Sequence, residues 1–223
     1  MNNTKGTAVV VCSGEIKDYG KYGGYFNDAD FVICADGGAV HLREFGIVPD
    51  ILLGDFDSIS SEDLNFYSTS ISTKNNVKTE IIKHPAEKDK TDSEIAVLLA
   101  VEKGYKRIYL IGATGKRLDH TLANIFLSVR MIEQGVVCSI VDEHNELVAI
   151  DDSITLNRDD SSKVSIIPIT GKITGVTTKG LYYKLFDADI EFGTTLGVSN
   201  EFASDRAEIT INSGTAIVIK SRD

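Results

Sequence analysis

The stretch that decides the fold is Pro49-Asp50-Ile51-Leu52-Leu53-Gly54-Asp55-Phe56-Asp57-Ser58. Its three consecutive apolar residues, 51–53, are typical of a short buried β-strand. Gly54 follows them, and a residue without a Cβ lets the chain turn sharply at a strand end. Two carboxylates come directly after this turn, so the sequence places acidic groups at the carboxyl end of a strand. Open α/β sheets bind their ligands in a crevice at that position.

Asp55 and Asp57 stand two positions apart, so both side chains can point at one place just beyond the strand. Two carboxylates at one point repel each other unless a cation lies between them. A hard divalent ion that prefers oxygen ligands, above all Mg²⁺, suits such a pair. A polar turn, in which Asp55 caps backbone N–H groups and Asp57 is solvated, explains the same residues. The stretch alone leaves both interpretations open.

On either side of this stretch, apolar runs of strand length alternate with helical patterns. The predicted strands are 7–14, 31–35, 51–53, 79–84, 108–111 and 136–141, and the predicted helices are 39–45, 61–69, 91–103 and 120–134. Such alternation implies right-handed crossovers between parallel strands. We therefore predict a mostly parallel sheet in an α/β domain over residues 1–147.

Two of the helices carry strong local signals. Thr91-Asp92-Ser93-Glu94 has the form of a capping box, with Thr91 as the N-cap and Glu94 three residues later. The helix that begins near His120 has its apolar residues at helical spacing, namely Leu122, Ile125, Phe126, Val129 and Ile132. This stripe predicts the face that packs on the sheet.

After residue 147 the helical signals stop. Short β-rich runs follow at 147–150, 163–169, 173–177, 181–186, 207–211 and 215–219, separated by Gly, Asn, Asp and Ser. This pattern of short β-rich runs separated by turn residues favours an antiparallel β-sandwich. We therefore predict a second domain over residues 148–223.

Composition narrows the class of protein. The 223 residues are 42% hydrophobic and 25% charged, which is ordinary for a globular protein. The formal net charge of −10 argues against a nucleic-acid partner, because binding to phosphate backbones needs a basic surface. It leaves room for a small phosphorylated ligand, held by metal ions and a few local Lys or Arg side chains.

The sequence also predicts the cellular compartment. No apolar run approaches the roughly 20 residues that a membrane helix needs. The first six residues lack the apolar core of a signal peptide, so we expect a cytoplasmic protein without membrane contact. Cys12, Cys34 and Cys138 lie in apolar strand-like runs without metal-ligand spacing, and we expect buried free thiols.

Acidic residues recur at predicted strand ends and helix starts. They are Asp36, Asp55 with Asp57, Asp92 and Asp119. Parallel strands deliver their carboxyl ends to one edge of the sheet, so these carboxylates can share one crevice. Lys88, Lys90, Lys116 and Arg117 flank them, and cations beside a carboxylate cluster suit polyphosphate chemistry. Surface ion pairs, which contribute about 0–1 kcal/mol each, are the alternative.

Two glycine-containing loops can offer backbone N–H groups to a phosphate. Gly112-Ala113-Thr114-Gly115-Lys116-Arg117 precedes a helix, although it lacks the spacing of a P-loop and no Ser or Thr follows its lysine. Asp36-Gly37-Gly38 allows a similarly close approach to the backbone. His120 adjoins Asp119, and we interpret it as a structural residue at a helix start.

Taken together, four motifs resemble the thiamine pyrophosphokinase family. They are Ala35-Asp36-Gly37-Gly38, Pro49-Asp50 with Gly54-Asp55-Phe56-Asp57-Ser58, Lys88-Asp89-Lys90-Thr91-Asp92, and Gly112-Ala113-Thr114-Gly115 with Arg117-Leu118-Asp119-His120. They occur in the order of the family and cover most of the first domain. In the second domain the resemblance rests on Gly180-Leu181-Tyr182-Tyr183 and Val198-Ser199-Asn200-Glu201.

The resemblance implies an Mg²⁺-dependent enzyme that transfers a pyrophosphoryl group from ATP to the hydroxyl of thiamine, giving thiamine diphosphate and AMP. It also implies a homodimer whose sites lie between the α/β domain of one subunit and the sandwich of the other. The metal-binding candidates are Asp36, Asp55, Asp57 and Asp92, and the catalytic candidates are Asp55, Asp57, Asp92, Arg117 and Asp119.

The resemblance and the loops together also give candidates for substrate binding. Those for ATP are Gly37, Lys88, Lys90, Thr91, Thr114 and Arg117, and those for thiamine are Tyr183, Ser199 and Asn200. Tyr183 aligns with an aromatic residue that is Trp in some family members, and this chain contains no Trp. Strict alternation over Leu181-Tyr182-Tyr183-Lys184-Leu185 would instead make Tyr183 a core residue of the sandwich.

Other functions remain open from sequence. A kinase that acts on another small alcohol would share the first domain and differ in the sandwich. A non-catalytic nucleotide or thiamine sensor is a second possibility, although all the acidic candidates are present. A purely structural interaction module would leave the acids at the strand ends unexplained.

Overall fold

The computed structural model describes residues 5–159 and 162–222, and most of the six N-terminal residues considered above, 1–4, lie outside the described residues. The first part of the chain alternates strands and helices. Its elements are β1 (Lys5–Val11), a 3-10 helix (Tyr19–Tyr22), α1 (Gly23–Asn27), β2 (Phe31–Ala35), α2 (Gly38–Phe45), β3 (Ile51–Gly54), α3 (Ser61–Thr69), β4 (Glu80–Lys83), α4 (Asp92–Glu102), β5 (Tyr105–Ile111), α5 (Leu118–Ile132) and β6 (Val137–Val141).

The second part consists of strands within the residues described. They are β7 (Asn145–Ile150), β8 (Ser153–Asn157), β9 (Lys163–Pro168), β10 (Ile173–Lys179), β11 (Ala188–Ile190), β12 (Asn200–Glu201), β13 (Arg206–Thr210) and β14 (Ala216–Ser221). β8, β11 and β12 were not predicted from the sequence.

A ten-stranded sheet runs through both parts in the order β12-β9-β14-β7-β6-β5-β1-β2-β3-β4. The pairs from β6 to β4 are parallel, and those from β6 to β12 are antiparallel. A four-stranded sheet, β11-β10-β13-β8, packs on the antiparallel end through Val148, Ile166, Val176 and Ile209. The predicted fold class, a mostly parallel α/β part followed by an antiparallel sandwich, is confirmed.

The sheet is continuous across the predicted domain boundary. Residue 147 lies inside β7, which pairs with β6 on one side and with β14 on the other. Backbone hydrogen bonds therefore connect the α/β part to the sandwich without a linker. The boundary near residue 147 stays a prediction.

Alternate residues of β1 face two different cores. Ala8 and Val10 pack with α4 and α5 on one side of the sheet, whereas Val9 and Val11 pack with α1, α2 and α3 on the other. All four side chains are fully buried. A strand covered on both faces explains why β1 reads as a continuous apolar run.

The predicted apolar face of α5 is wrong in part. Leu122 and Phe126 are half-exposed, whereas Asn124 and Ser128 are buried against the sheet side of the helix. Asn124 bonds to Ser93 and Ala113 on other segments, and the Ser128 hydroxyl donates to the carbonyl of Ile125 within the helix, so both buried side chains have hydrogen-bond partners. Leu122 and Phe126 are left on the outside, whereas Ile125 and Val129 of the same stripe pack against the core.

The predicted strand 181–186 is also wrong. Gly180 has φ +73°, and a Cβ there would lie 2.0 Å from the carbonyl oxygen of Arg206. Leu181 forms a single bridge with Phe202. Beyond it, the Asn200 side chain accepts from the N–H of Tyr183 at 2.9 Å and donates to its carbonyl at 2.7 Å. These groups are therefore not available to a neighbouring strand.

The three cysteines are free and buried, as predicted. Burial raises the pKa of each thiol, and that of Cys12 is raised to about 12. None of them is therefore a ready nucleophile.

Within residues 5–159 and 162–222, no helix has the length and apolar character needed to cross a membrane.

At the start of α4, one of the two hydrogen bonds of the predicted capping box is present. Thr91 Oγ1 accepts from the N–H of Glu94 at 3.2 Å. The second half of the predicted capping box is wrong, because the Glu94 carboxylate pairs with Arg130 of α5 at 2.9 Å. Glu94 therefore joins two helices instead of closing the cap.

We predict that Thr91→Ala lowers the free energy of unfolding by about 1 kcal/mol, because it removes the side-chain acceptor of the helix N-terminus. Chemical denaturation followed by circular dichroism measures the change. Thr91→Ser, which keeps the hydroxyl, is the matched control and should stay close to wild type. Equal stability of Thr91→Ala and wild type would contradict the cap.

Candidate active site

A polar cavity of about 720 Å³ opens at the carboxyl edge of the parallel strands. The loops that follow β1, β2, β3 and β5 line it, together with the start of α4 and the first turns of α5. All the described lining residues fall between Cys12 and Asn124. The cavity is therefore built by the α/β part of the chain, at the edge that the sequence predicted.

Three carboxylates converge in this cavity. Asp36 follows β2, Asp55 and Asp57 follow β3, and one carboxylate oxygen of each lies within 4.8 Å of the others. Two left-handed residues make the convergence possible, because Asp36 has φ +45° and Phe56 has φ +66°. A non-glycine residue in this region is uncommon and is characteristic of functional sites.

Neighbouring backbone contacts fix this arrangement. The N–H of Asp36 donates to the carbonyl of Leu53 at 2.7 Å, so the ends of β2 and β3 are held together. Gly54 has φ +155°, and a Cβ there would lie 2.9 Å from the Asp36 Cβ. Only glycine fits at this close approach.

The electrostatics of the three carboxylates fit a divalent cation. Asp36 Oδ1 is buried and has no hydrogen-bond partner among the described residues. Burial is the main cause that raises the pKa of Asp36, and the charges of Asp55 and Asp92 add to it. The pKa of Asp55 is lowered, chiefly by the hydrogen bond from the N–H of Asp57. A set of oxygen donors with one buried orphan atom is suited to Mg²⁺.

Asp92 lies in the same cavity but has a different partner. Lys88 Nζ is 3.1 Å from Asp92 and 3.8 Å from Asp55, and the lysine side chain is only 15% exposed. Asp92 is not part of the described three-carboxylate group. Its predicted roles in metal binding and catalysis therefore stay predictions, while its contact with Lys88 is observed.

Four of the predicted ATP-binding residues besides Lys88 line the cavity: Lys90, Thr91, Thr114 and Arg117. The Thr114 hydroxyl donates to Asp142 at 3.1 Å. Gly37 is absent from the described lining and forms the N-cap of α2 instead. Cations and carboxylates line the same cavity, and Lys88 contacts two of the acids, which suits a ligand that carries both phosphates and a metal ion.

The loops after β1 and β5 interlock. The N–H of Gly14 donates to the carbonyl of Gly112 at 2.7 Å, and a Cβ on Gly14 would lie 2.1 Å from the carbonyl oxygen of Thr114. His41 holds the same loop, since its Nε2 donates to the Gly14 carbonyl at 2.7 Å while Nδ1 accepts from the Tyr19 hydroxyl at 2.8 Å. Burial lowers the pKa of His41, which keeps this neutral form.

Arg117 and Asp119 form an exposed bidentate pair. Nε and Nη2 of Arg117 lie 3.1 Å and 2.5 Å from the two carboxylate oxygens of Asp119. The guanidinium lowers the pKa of Asp119 to about 2. Arg117 borders the cavity together with His120, whereas Asp119 is not among the described lining residues.

Sequence reasoning missed several residues of the cavity, among them Ser13, Glu15, Ser58 and Asn124. Ser58 ends the quoted acidic stretch, so its position was available as a signal. Ser13 and Glu15 flank Gly14 after β1, where only the strand end pointed to them. Asn124 lies on a helix face that the apolar stripe seemed to exclude.

The predicted thiamine-binding residues lie in the sandwich part. Tyr183 is 62% exposed, so the alternative that it packs in the core is wrong. Its ring meets that of Tyr182 edge-on, with centroids 5.0 Å apart. Ser199 is exposed with φ +59°, and Asn200 is buried with its amide on the Tyr183 backbone. None of the three is among the described residues of the cavity.

Comparison with known proteins agrees with this geometry. Two family models match the chain: the catalytic domain of thiamin pyrophosphokinase over residues 22–140, and its vitamin B1 binding domain over residues 152–218. The thiamine pyrophosphokinase of Bacillus subtilis is 30% identical over 202 residues, which are 90% of this chain and 91% of the relative.

Among solved structures, thiamine pyrophosphokinases also resemble this chain. A crystal structure of thiamine pyrophosphokinase from Bacillus subtilis superposes with a TM-score of 0.86 at 28% identity, covering 97% of this chain and 99% of the other. A thiamin pyrophosphokinase structure from Geobacillus thermodenitrificans gives 0.79 at 30% identity, covering 97% and 98%. The predicted resemblance and the prediction of an enzyme are confirmed. Because the two family models together span most of its length, the chain belongs to the thiamine pyrophosphokinase family.

Proposed function

We propose that this chain transfers a pyrophosphoryl group from ATP to the hydroxyl of thiamine, in an Mg²⁺-dependent reaction that releases AMP. One observation carries the proposal. In a chain of this family, three converging carboxylates with an orphan oxygen lie in one cavity with Lys88, Lys90, Lys116 and Arg117. Positive and negative groups in one cavity suit a metal–polyphosphate ligand.

The chemistry needs positioning more than covalent help from the protein. The thiamine oxygen forms a bond to the β-phosphorus, and the bond from that phosphorus to the oxygen shared with the α-phosphorus breaks, so that AMP leaves. When bound, Mg²⁺ at Asp36, Asp55 and Asp57 would neutralise charge on the phosphate oxygens. The lysines and Arg117 attract the triphosphate and balance charge on the leaving group.

We propose further that the working enzyme is a homodimer. The acids and the thiamine candidates share no cavity in the described part of one chain. Large apolar side chains are exposed on both parts of the fold: Leu118, Leu122 and Phe126 on α5, and Phe186 and Phe192 in the sandwich. A second copy that covered these surfaces would bring a Tyr183 to each cavity.

The cytoplasmic location of the protein stays a prediction.

A direct assay tests the reaction. Purified protein with ATP, Mg²⁺ and thiamine should give equal amounts of AMP and thiamine diphosphate, separated by anion-exchange chromatography. Formation of ADP would indicate a kinase that transfers a single phosphoryl group. Binding of both substrates without turnover would indicate a sensor. Turnover only with a different alcohol would keep the reaction class and change the acceptor.

We predict that Asp57→Asn folds but loses about a thousandfold in kcat, because an amide cannot replace a carboxylate charge at a metal site. Mn²⁺ binding, measured by electron paramagnetic resonance without nucleotide, should weaken in parallel. Asp151→Asn, in an exposed turn, is the control and should match wild type in both measurements. A well-folded Asp57→Asn with normal turnover would remove the metal assignment.

We predict that Tyr183→Ala raises the KM for thiamine about tenfold, since an exposed ring can attract the cationic thiazolium through its face. The KM for ATP and the melting temperature should hardly change, because the side chain is 62% exposed. Tyr182→Ala is the matched control, with a neighbouring ring that is 67% exposed. Equal effects of the two substitutions on the KM for thiamine would contradict a specific role for Tyr183.

Mixing the two variants tests the shared site. Asp57→Asn and Tyr183→Ala, unfolded together and refolded at equal amounts, should recover about a quarter of wild-type activity at low thiamine, since half the dimers then hold one intact site. A site contained in a single chain would give only the mean of the two separate activities. That result would contradict the dimeric site while leaving the reaction itself untouched.

A further inference from the structure

One buried amide joins two walls of the cavity. Asn124, on α5, is only 6% exposed and lines the cavity. Its Oδ1 accepts from the Ser93 hydroxyl at 2.9 Å, and its Nδ2 donates to the carbonyl of Ala113 at 2.7 Å. Neither partner belongs to α5, so the side chain is a bridge between other segments.

The bridge belongs to a hydrogen-bond chain with a fixed direction. Ser93 uses its only hydroxyl proton on Asn124, so at the 3.1 Å contact between Thr91 and Ser93 the Thr91 hydroxyl is the donor. Thr91 Oγ1 accepts in turn from the N–H of Glu94. Protons therefore point from Thr91 to Ser93 and on to Asn124, which donates to Ala113.

The two ends of this chain carry the groups on which nucleotide binding depends. Ser93 is in the first turn of α4, directly after Asp92, whose carboxylate contacts Lys88. Ala113 is 4% exposed and directly precedes Thr114 in the loop that ends with Arg117. Asn124 thus connects the start of α4 to this loop through one side chain.

We propose that Asn124 is a positioning residue that holds the 112–117 loop in register with the start of α4 for binding Mg·ATP. The inference rests on the proposed function and deepens it. The site needs an acceptor and a donor on one short, uncharged side chain, and only asparagine supplies both at this length. Aspartate would place an acceptor against the Ala113 carbonyl, and leucine would leave both partners unpaired in a buried place.

The test uses a nucleotide that cannot react. The proposed reaction breaks the link between the α- and β-phosphates, so the α,β-methylene analogue of ATP with Mg²⁺ is a stable probe for calorimetry. We expect Asn124→Asp and Asn124→Leu to raise its Kd about tenfold, and Ser93→Ala about threefold. The Kd for thiamine should stay within about twofold of wild type, because its candidate residues lie in the sandwich.

A matched control separates positioning from stability. Ser128→Ala removes another buried hydroxyl from the same helix, but one whose partner among the described residues is the carbonyl of Ile125 within the helix. It should lower the melting temperature without changing the Kd for the probe. If Ser128→Ala weakened nucleotide binding as much as the Asn124 variants, the effect would be general loosening of α5 and the inference would fall.

Hydrogen exchange followed by mass spectrometry gives a readout that needs no ligand. In Asn124→Leu and Ser93→Ala, amides of 112–117 and 91–94 should exchange faster, while Ser128→Ala leaves them unchanged. Unchanged exchange and unchanged Kd in either variant would overturn the inference. Should wild type bind no nucleotide while the loops still loosen, the proposed function would fail and the positioning of the two segments would stand.

Discussion

The close approach of two strand ends, where Gly54 lies against Asp36, is the contact on which the rest of the site depends. The N–H of Asp36 donates to Leu53, and a Cβ at position 54 would lie 2.9 Å from that of Asp36. The chain must then leave both strands through left-handed residues, Asp36 and Phe56. The convergence of three carboxylates is a direct consequence of this backbone geometry.

Such a cluster is unfavourable in the folded protein by itself. Like charges at short range repel each other, and the charge of Asp55 adds to the burial that raises the pKa of Asp36. Stability has to come from elsewhere, and the two apolar cores on either side of β1 supply it. Lys88, held between Asp55 and Asp92, offsets part of the repulsion within the cavity. The cation that the proposed function requires would offset the repulsion that remains between the carboxylates.

The sequence alone was enough to predict the features that depend on residues close together in the chain. Apolar runs, the Thr91 cap and the acids after β2 and β3 are local, and the parallel topology then brings those acids to one edge. Features that depend on contacts between residues far apart in the chain could not be predicted from the sequence. Residues 181–186 alternate like a strand, yet the Asn200 amide, seventeen positions away, takes the backbone groups of Tyr183. The burial of Asn124 was hidden for the same reason, because its partners lie on other elements.

The two faces of α5 connect these observations. The inner face buries Asn124 and Ser128 beside Leu127 and Met131, whereas Leu122 and Phe126 are half-exposed on the outer face. Burying a polar group is unfavourable unless it has a hydrogen-bond partner, so the inward amide needs an explanation. The inward amide is explained by the two walls that it joins. The exposure of Leu122 and Phe126 is explained if a second copy covers them, as the proposed homodimer requires. In that arrangement, the inner face of α5 positions the segments proposed to bind ATP. Its outer face contacts the second copy, which supplies the proposed thiamine-binding residues. A chain that has not yet assembled would then lack the residues that recognise the alcohol, so its cavity could bind the triphosphate without being committed to transfer.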